Sequence, residues 1–187
     1  MVCVLALCQD LSRVIGRHRQ PDERREQMRI EQLMTKCPKS CRADSSLSHA
    51  ARLMWENDVG CLPVTEGDES GRLVGMITDR DICMAAYFAE RALSEIRVAE
   101  AMTRDACACN PRDDLAEARA IMRETAVRRL PVINESDRVI GLISLADLAC
   151  EAIRQRGVMN RDITLGEVGL VLAAICSPRQ CPESEIR

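Results

Sequence analysis

Apolar positions along this chain follow two rhythms, and the order in which they alternate occurs twice. In the first round, Ser40–Asp44 is a short extended stretch and turn. Residues Ser45–Glu56 then place Leu47, Ala50, Ala51, Leu53 and Met54 at helical spacing, which predicts an amphipathic helix with its apolar stripe inward. Val59–Thr65 and Leu73–Thr78 have the composition of β-strands and flank the polar turn Glu66–Gly71. From Asp79 the rhythm becomes helical again, with Ile82, Cys83, Ala85, Ala86 and Phe88 apolar. The second round repeats this: Ala106–Asn110 extended, Asp113–Glu124 helical, Leu130–Asn134 and Val139–Ser144 as strands, Leu145–Arg156 helical.

The residues themselves repeat as well as the pattern. Leu33-Met34-Thr35 matches Ala101-Met102-Thr103, and Leu62-Pro63-Val64 matches Leu130-Pro131-Val132, at a constant offset of 68 (102 − 34, 131 − 63). The offset then falls to 66 (141 − 75, 147 − 81), because the second copy has a shorter turn, Asn134–Asp137. A polar hairpin is where a duplicated fold best tolerates a change of length. Two long copies predict two matched halves rather than a solenoid of short units.

Each copy ends its second strand on one motif, Gly75-Met-Ile-Thr-Asp-Arg-Asp81 and Gly141-Leu-Ile-Ser-Leu-Ala-Asp147. A hydroxyl residue with an acid three positions on is a capping box, which needs no ligand to explain it. A helix N-terminus at the same place also holds an anion through its free N–H groups, so both readings stand for each copy.

The ordered set Met-Thr, helix, Leu-Pro-Val, hairpin, Gly-h-h-Thr/Ser-x-x-Asp resembles the cystathionine β-synthase (CBS) domain, present as a tandem pair over roughly residues 29 to 156. The resemblance implies an α/β (α+β) fold of two β-α-β-β-α units packed about a pseudo-two-fold axis. It divides the chain into an N-terminal extension (1–28), a first CBS domain (29–90), a linker (91–97), a second CBS domain (98–156) and a C-terminal helix with its tail (157–187). It also implies two clefts between the halves that take adenosine-type ligands.

By this resemblance Asp81 and Asp147 would accept the ribose hydroxyls, and Thr78 and Ser144 would donate to phosphate beside the helix ends. The base would lie against Ser40, Cys41, Val59, Leu62 and Pro63 and their equivalents Ala108, Cys109, Val127, Leu130 and Pro131. Arg128 and Arg129 precede the second Leu-Pro-Val and look like a phosphate clamp, whereas the first copy has Gly60-Cys61 there. The alternative for the two arginines is a solvated pair that protects an edge strand. Arg80 is a further phosphate donor and Lys39 a weaker one. The two clefts are therefore expected to differ in affinity.

Composition narrows the classes. The chain has 187 residues, 47% hydrophobic and 29% charged, enough to bury a core. One Trp, one Tyr and one Phe offer no platform for stacking single-stranded bases, and a net charge of −3 disfavours nucleic acid and anionic membranes. No motif of phosphoryl transfer, dinucleotide binding, metalloprotease or serine hydrolase chemistry is present, so no catalytic residue is expected. The 11 cysteines lack zinc spacing, and only two histidines accompany them. They read as small hydrophobes in a reducing cytoplasm, with a redox or metal switch at the equivalent pair Cys41 and Cys109 as the alternative.

The ends lie outside the repeat. Met1–Leu7 is too short to span a membrane and has the wrong flanks for a signal peptide. Met28 is expected to be the native start, residues 1–27 being a disordered or mis-assigned extension that a peptide containing Cys3 or Cys8 would reinstate. Thr164-Leu-Gly-Glu167 is a capping box that opens a short apolar helix, stopped by Pro178. The expected function is ligand sensing: an adenine nucleotide (AMP, ADP or ATP, magnesium accompanying ATP) shifts the packing of the halves and is read by an effector protein, with the chain as a homodimer. No cofactor is required. NAD, S-adenosylmethionine, or a docking module with no physiological ligand are the alternatives.

Overall fold

The computed structural model describes residues 27–67, 71–159 and 161–177. The expectations for residues 1–26, for the middle of the first hairpin turn and for the tail from Pro178 lie outside the described residues.

In chain order the elements are α1 (Ile30–Leu33), β1 (Thr35–Lys36), β2 (Cys41–Arg42), α2 (Leu47–Glu56), β3 (Cys61–Thr65), β4 (Leu73–Thr78), α3 (Asp79–Ala89), α4 (Val98–Ala101), β5 (Thr103–Arg104), α5 (Leu115–Thr125), β6 (Arg129–Ile133), β7 (Val139–Ser144), α6 (Leu145–Arg154) and α7 (Leu165–Cys176). The longer elements fall where periodicity places them. Their starts follow local chemistry: Ser46, Thr78, Asp114, Ser144 and Thr164 each cap a helix by accepting the N–H three residues on. The segment expected to be extended at 106–110 forms no strand of its own; Cys109 makes a single parallel bridge to Val132.

The halves exchange their opening strands. β1 pairs antiparallel with β7, placing Thr35 opposite Leu142 and Lys36 opposite Gly141. Reciprocally, β5 pairs antiparallel with β4, Thr103 opposite Met76 and Arg104 opposite Gly75. The sheets are thus β2-β3-β4-β5 and β1-β7-β6. Two further bridges obey the same two-fold relation, Arg29 with Asp114 and Arg97 with Ser46.

This exchange explains the glycine of each signature. A Cβ on Gly75 would overlap the carbonyl oxygen of Thr103, and one on Gly141 would overlap the Met34 side chain. The Met-Thr of one half and the glycine of the other are two sides of one close approach.

The cores follow suit. Ile30, with Leu33 and Met34 against it, packs among Leu115, Met122, Leu130, Ile143 and Leu148 of the second half. Ile96 and Val98, with Met102, pack among Leu47, Met54, Leu62 and Ile77 of the first. Polar bonds hold the chain's described start on the second half, Met28 N–H donating to Asp162 Oδ1 at 3.3 Å and Asp162 N–H to Gln155 Oε1 at 2.7 Å.

α7 lies over α5 and α6 and adds Val168 and Val171 to the second core. An ion pair from Arg119 on α5 to Glu167 on α7 pins it. α2 and α3 have no such cover from the described residues. Their outer face carries the chain's three aromatic residues: Trp55 is 88% exposed, Tyr87 74% and Phe88 73%. Of the apolar run read from Asp79 onward, α3 buries Ile82, whereas Phe88 faces outward.

Candidate functional site

The two capping boxes form with nearly identical geometry. Thr78 donates to Asp81 Oδ2 from its backbone N–H at 2.9 Å and from its hydroxyl at 2.7 Å. Ser144 treats Asp147 Oδ2 the same way, at 2.8 and 2.7 Å. Each hydroxyl also accepts the aspartate's own N–H at 3.2 Å. One carboxylate oxygen per half is thus spent on the helix start, and these bonds leave Oδ1 of Asp81 and Asp147 as the acceptor that points elsewhere. A phosphate calling on the Thr78 or Ser144 hydroxyl must compete with that internal acceptor, whereas the helix N–H groups remain fixed donors.

Strand register assembles the rest. Arg129 is the cross-strand partner of Ser144, and the backbone of Arg128 accepts from Leu145 N–H at 2.9 Å. The second half therefore sets Arg128, Arg129, Ser144 and Asp147 around one strand-to-helix junction. In the first half Cys61 partners Thr78, and the Gly60 carbonyl accepts from Asp79 N–H at 3.2 Å. Cys61 and Arg129 are repeat equivalents within electrostatic reach of one another: burial pushes the Cys61 thiol up, the Arg129 guanidinium opposes that rise and the Asp79 carboxylate adds to it. The first strand-to-helix junction is thus within electrostatic reach of a guanidinium from the second half.

The remaining predicted residues divide by exposure. Leu62, Pro63, Leu130 and Pro131 are buried in β3 and β6. Ser40, Val59 and Arg80 are exposed, and Ala108 and Val127 are half-buried. Pro131 fits inside a strand because the backbone on that side belongs to Cys109, whose N–H donates to the Pro131 carbonyl at 3.0 Å; the missing proline N–H has no partner to disappoint.

Cys41 and Cys109 are both buried, and burial pushes their thiols up to about 11 and about 12. A thiol so protonated at neutral pH is a poor nucleophile and a poor metal ligand, which counts against the redox alternative at this pair. Among the described residues no group of three or more His, Cys, Asp or Glu side chains is placed to hold a metal ion. No described helix is long and apolar enough to cross a membrane.

A hollow of about 450 Å³ opens on the first half, lined by Met54, Trp55, Val59, Gly60, Asp79 and Ile82 among others. Of the residues proposed from sequence it includes only Val59. Sequence reasoning passed over Asp79 as a site residue, although its equivalent, Leu145, is apolar and the contrast was there to find.

A model of the family described as "CBS domain" matches residues 30–87 and 98–152. The chain belongs to the CBS-domain family. As a tandem CBS pair it is 32% identical over 120 residues to the CBS domain-containing protein YhcV of Bacillus subtilis, a match covering 64% of this chain and 82% of that protein. It is 33% identical over 128 residues to a homoserine O-acetyltransferase of Methanocorpusculum labreanum, covering 68% of this chain but spanning only 25% of the acetyltransferase. The solved structure of CBSX2 in complex with AMP superposes with a TM-score of 0.61 at 22% identity, over 68% of this chain and 98% of that one, a likeness of fold.

Proposed function

We propose that this CBS pair is a regulatory module that binds an adenosine-type nucleotide where its halves meet and passes the resulting change of packing to an effector protein. It acts in the cytoplasm as a homodimer. The observation that supports this reading most is the junction of the second half, where Arg129 is the cross-strand partner of Ser144 and Ser144 in turn holds Asp147, so that a guanidinium, a hydroxyl and a carboxylate share one helix start.

Asp147 Oδ1 would accept from the ribose, while Arg128, Arg129 and the α6 N–H groups would face the phosphate. In the first half, Asp81 Oδ1 and Arg80 would play these parts, Ser40, Val59 and the buried β3 wall facing the base. Asp79 beside Gly60 repels a phosphate there, so the second half is the tighter site, or the first takes a ligand with less charge. The likeness of fold to CBSX2 in complex with AMP makes an adenine nucleotide the first ligand to try, with NAD and S-adenosylmethionine as further adenosyl candidates.

Thermal shift against AMP, ADP, ATP, NAD and S-adenosylmethionine tests the proposal. A ligand at 100 times its Kd adds about 2.7 kcal/mol, which for a chain of this size raises the melting temperature by roughly 5–10 °C. No shift with any adenosine compound would leave a docking module without a physiological ligand as the better account.

A further inference from the structure

The hollow on the first half has apolar walls, an aromatic rim and two carboxylates, and no basic residue lines it. Met54, Val59 and Ile82 supply the walls, Trp55 the rim, and Asp58 and Asp79 the charge. A Cβ on Gly60 would come within 3.3 Å of Asp79 Oδ2, so the carboxylate lies over that glycine, itself part of the lining. Asp79 Oδ1 accepts the Arg80 backbone N–H at 2.7 Å. Oδ2 and the Asp58 carboxylate have no protein donor among the described residues, and neither side chain has an ion-pair partner there. The second half builds the same elements without this charge. Its equivalent places keep apolar walls, Met122, Val127 and Leu148, whereas Trp55, Asp58, Gly60 and Asp79 give way to Arg123, Ala126, Arg128 and Leu145. Even the left-handed backbone of Asp58, at φ 52°, is matched by Ala126 at φ 53°, so the turn does not call for an aspartate.

We propose that this hollow binds a small organic amine, its ammonium group held by Asp58 and Asp79 and its alkyl or aryl body lying against Val59, Met54 and the ring of Trp55. At about 450 Å³ the space is of the size that takes small molecules. The chemistry of the lining selects among them. A phosphate or carboxylate ligand finds two like charges and no cationic side chain in the lining. A neutral apolar ligand would cover both carboxylates and leave them nothing to pair with. A bare metal ion finds too few ligands, since no group of three or more His, Cys, Asp or Glu among the described residues is placed to hold one. An organic ammonium meets each demand: charge-assisted hydrogen bonds to the carboxylates, a cation beside an indole face, and apolar walls for the rest of the molecule. The site goes beyond the nucleotide reading and shares only Val59 with the contacts named for it.

Titration of the full chain with 1,4-diaminobutane and with 2-phenylethylamine tests this, followed by calorimetry and by the emission of the single tryptophan, which stands at the hollow. Expected is a saturable change in emission with one amine or both, at the affinity calorimetry gives, and none with succinate, which has the opposite charge. Asp58→Ala and Asp79→Leu, which install the second half's residues, should each weaken amine binding at least tenfold while circular dichroism shows the fold unchanged. Should Asp79→Leu fail to fold, Asp58→Ala decides alone, because Ala126 already holds that backbone. No saturable change with either amine, equal binding of succinate, or the parent's affinity in a folded variant would each overturn the proposal. Thermal shift of the parent with AMP keeps the two readings apart. An amine titration that fails while AMP still shifts the parent strikes this site alone, and one that holds while no adenosine compound shifts the parent strikes the nucleotide reading alone.

Discussion

The two halves share a backbone plan and differ in what they turn outward. Both have the capping box, the exchanged strand and the glycine that admits it, with hydrogen-bond lengths equal to within about 0.1 Å. Yet the junction that reads Gly60, Cys61 and Asp79 in one reads Arg128, Arg129 and Leu145 in the other. The positions of Trp55 and Phe88, aromatic and exposed in one, are exposed arginines in the other, whose helices also carry α7. A duplicated fold keeps what closes its hydrogen bonds and core, because each half completes the other's sheet. It is free to diverge where residues meet solvent, and there the two copies differ in charge and in apolar character.

The largest effect comes from the shared feature. At Gly75 the obstacle to a side chain is backbone, the Thr103 carbonyl, whereas at Gly141 it is the flexible Met34 side chain. Gly75→Ala is expected to cost about 3 kcal/mol and Gly141→Ala about 1 kcal/mol, the range typical of overpacking, measured by urea denaturation. Shortening the obstacle in Gly141→Ala/Met34→Ala should recover part of the smaller loss. Equal costs for the two glycines would mean that the halves do not approach each other as described.

A smaller effect sharpens the charge contrast. Because Asp147 Oδ2 also caps α6, an alanine there removes two hydrogen bonds and costs about 1 kcal/mol of stability. Asp147→Asn is the cleaner probe, since its amide oxygen can still cap while the charged acceptor for ribose is lost. It should weaken nucleotide binding by about tenfold, some 1.4 kcal/mol, and Asp81→Asn by less, as read by calorimetry. The reverse order would place the tighter site in the first half.

Most of the helices and strands were legible because their periodicity spans several turns or pleats, and their starts because Ser46, Thr78, Asp114, Ser144 and Thr164 announce caps. The strand exchange was not, since a two-residue strand such as Thr35–Lys36 has no period to read, and only tertiary contact decides its neighbour. Trp55 falls outside the apolar stripe of its helix, and the apolar run from Asp79 did not say which of its members, Phe88 among them, face out. The equivalents of Trp55 and Phe88, Arg123 and Arg154, carry the signal that those positions face out. At the site, the residue types were visible in the motif, but the opposition of Asp79 and Arg129 at Cys61 depends on how the halves pack.

The smallest expected effect separates the two opening helices by charge alone. α1 is capped by Gln32, whose Oε1 accepts Arg29 N–H at 2.8 Å, and α4 by Glu100, whose Oε1 accepts Arg97 N–H at 2.9 Å. The geometry is shared, but only Glu100 titrates. That backbone bond, with the Arg91 guanidinium donating to Oε2 at 2.8 Å, holds its carboxyl down to about 2. A carboxyl depressed on folding adds stability above its unfolded value, near 4.5, and that contribution fades as pH falls from there towards 2. Acid should therefore loosen α4, which packs on the first core, while leaving α1's cap intact. Hydrogen exchange at Val98–Ala101 should quicken between pH 4.5 and 2 relative to Ile30–Leu33, after correction for intrinsic rates. Glu100→Gln, which gives α4 the cap that α1 already uses, should behave almost as the parent at pH 7 and lose the difference in acid. If the variant keeps the parent's acid response, the loosening belongs to other carboxylates and the two caps are equivalent in charge as well as in shape.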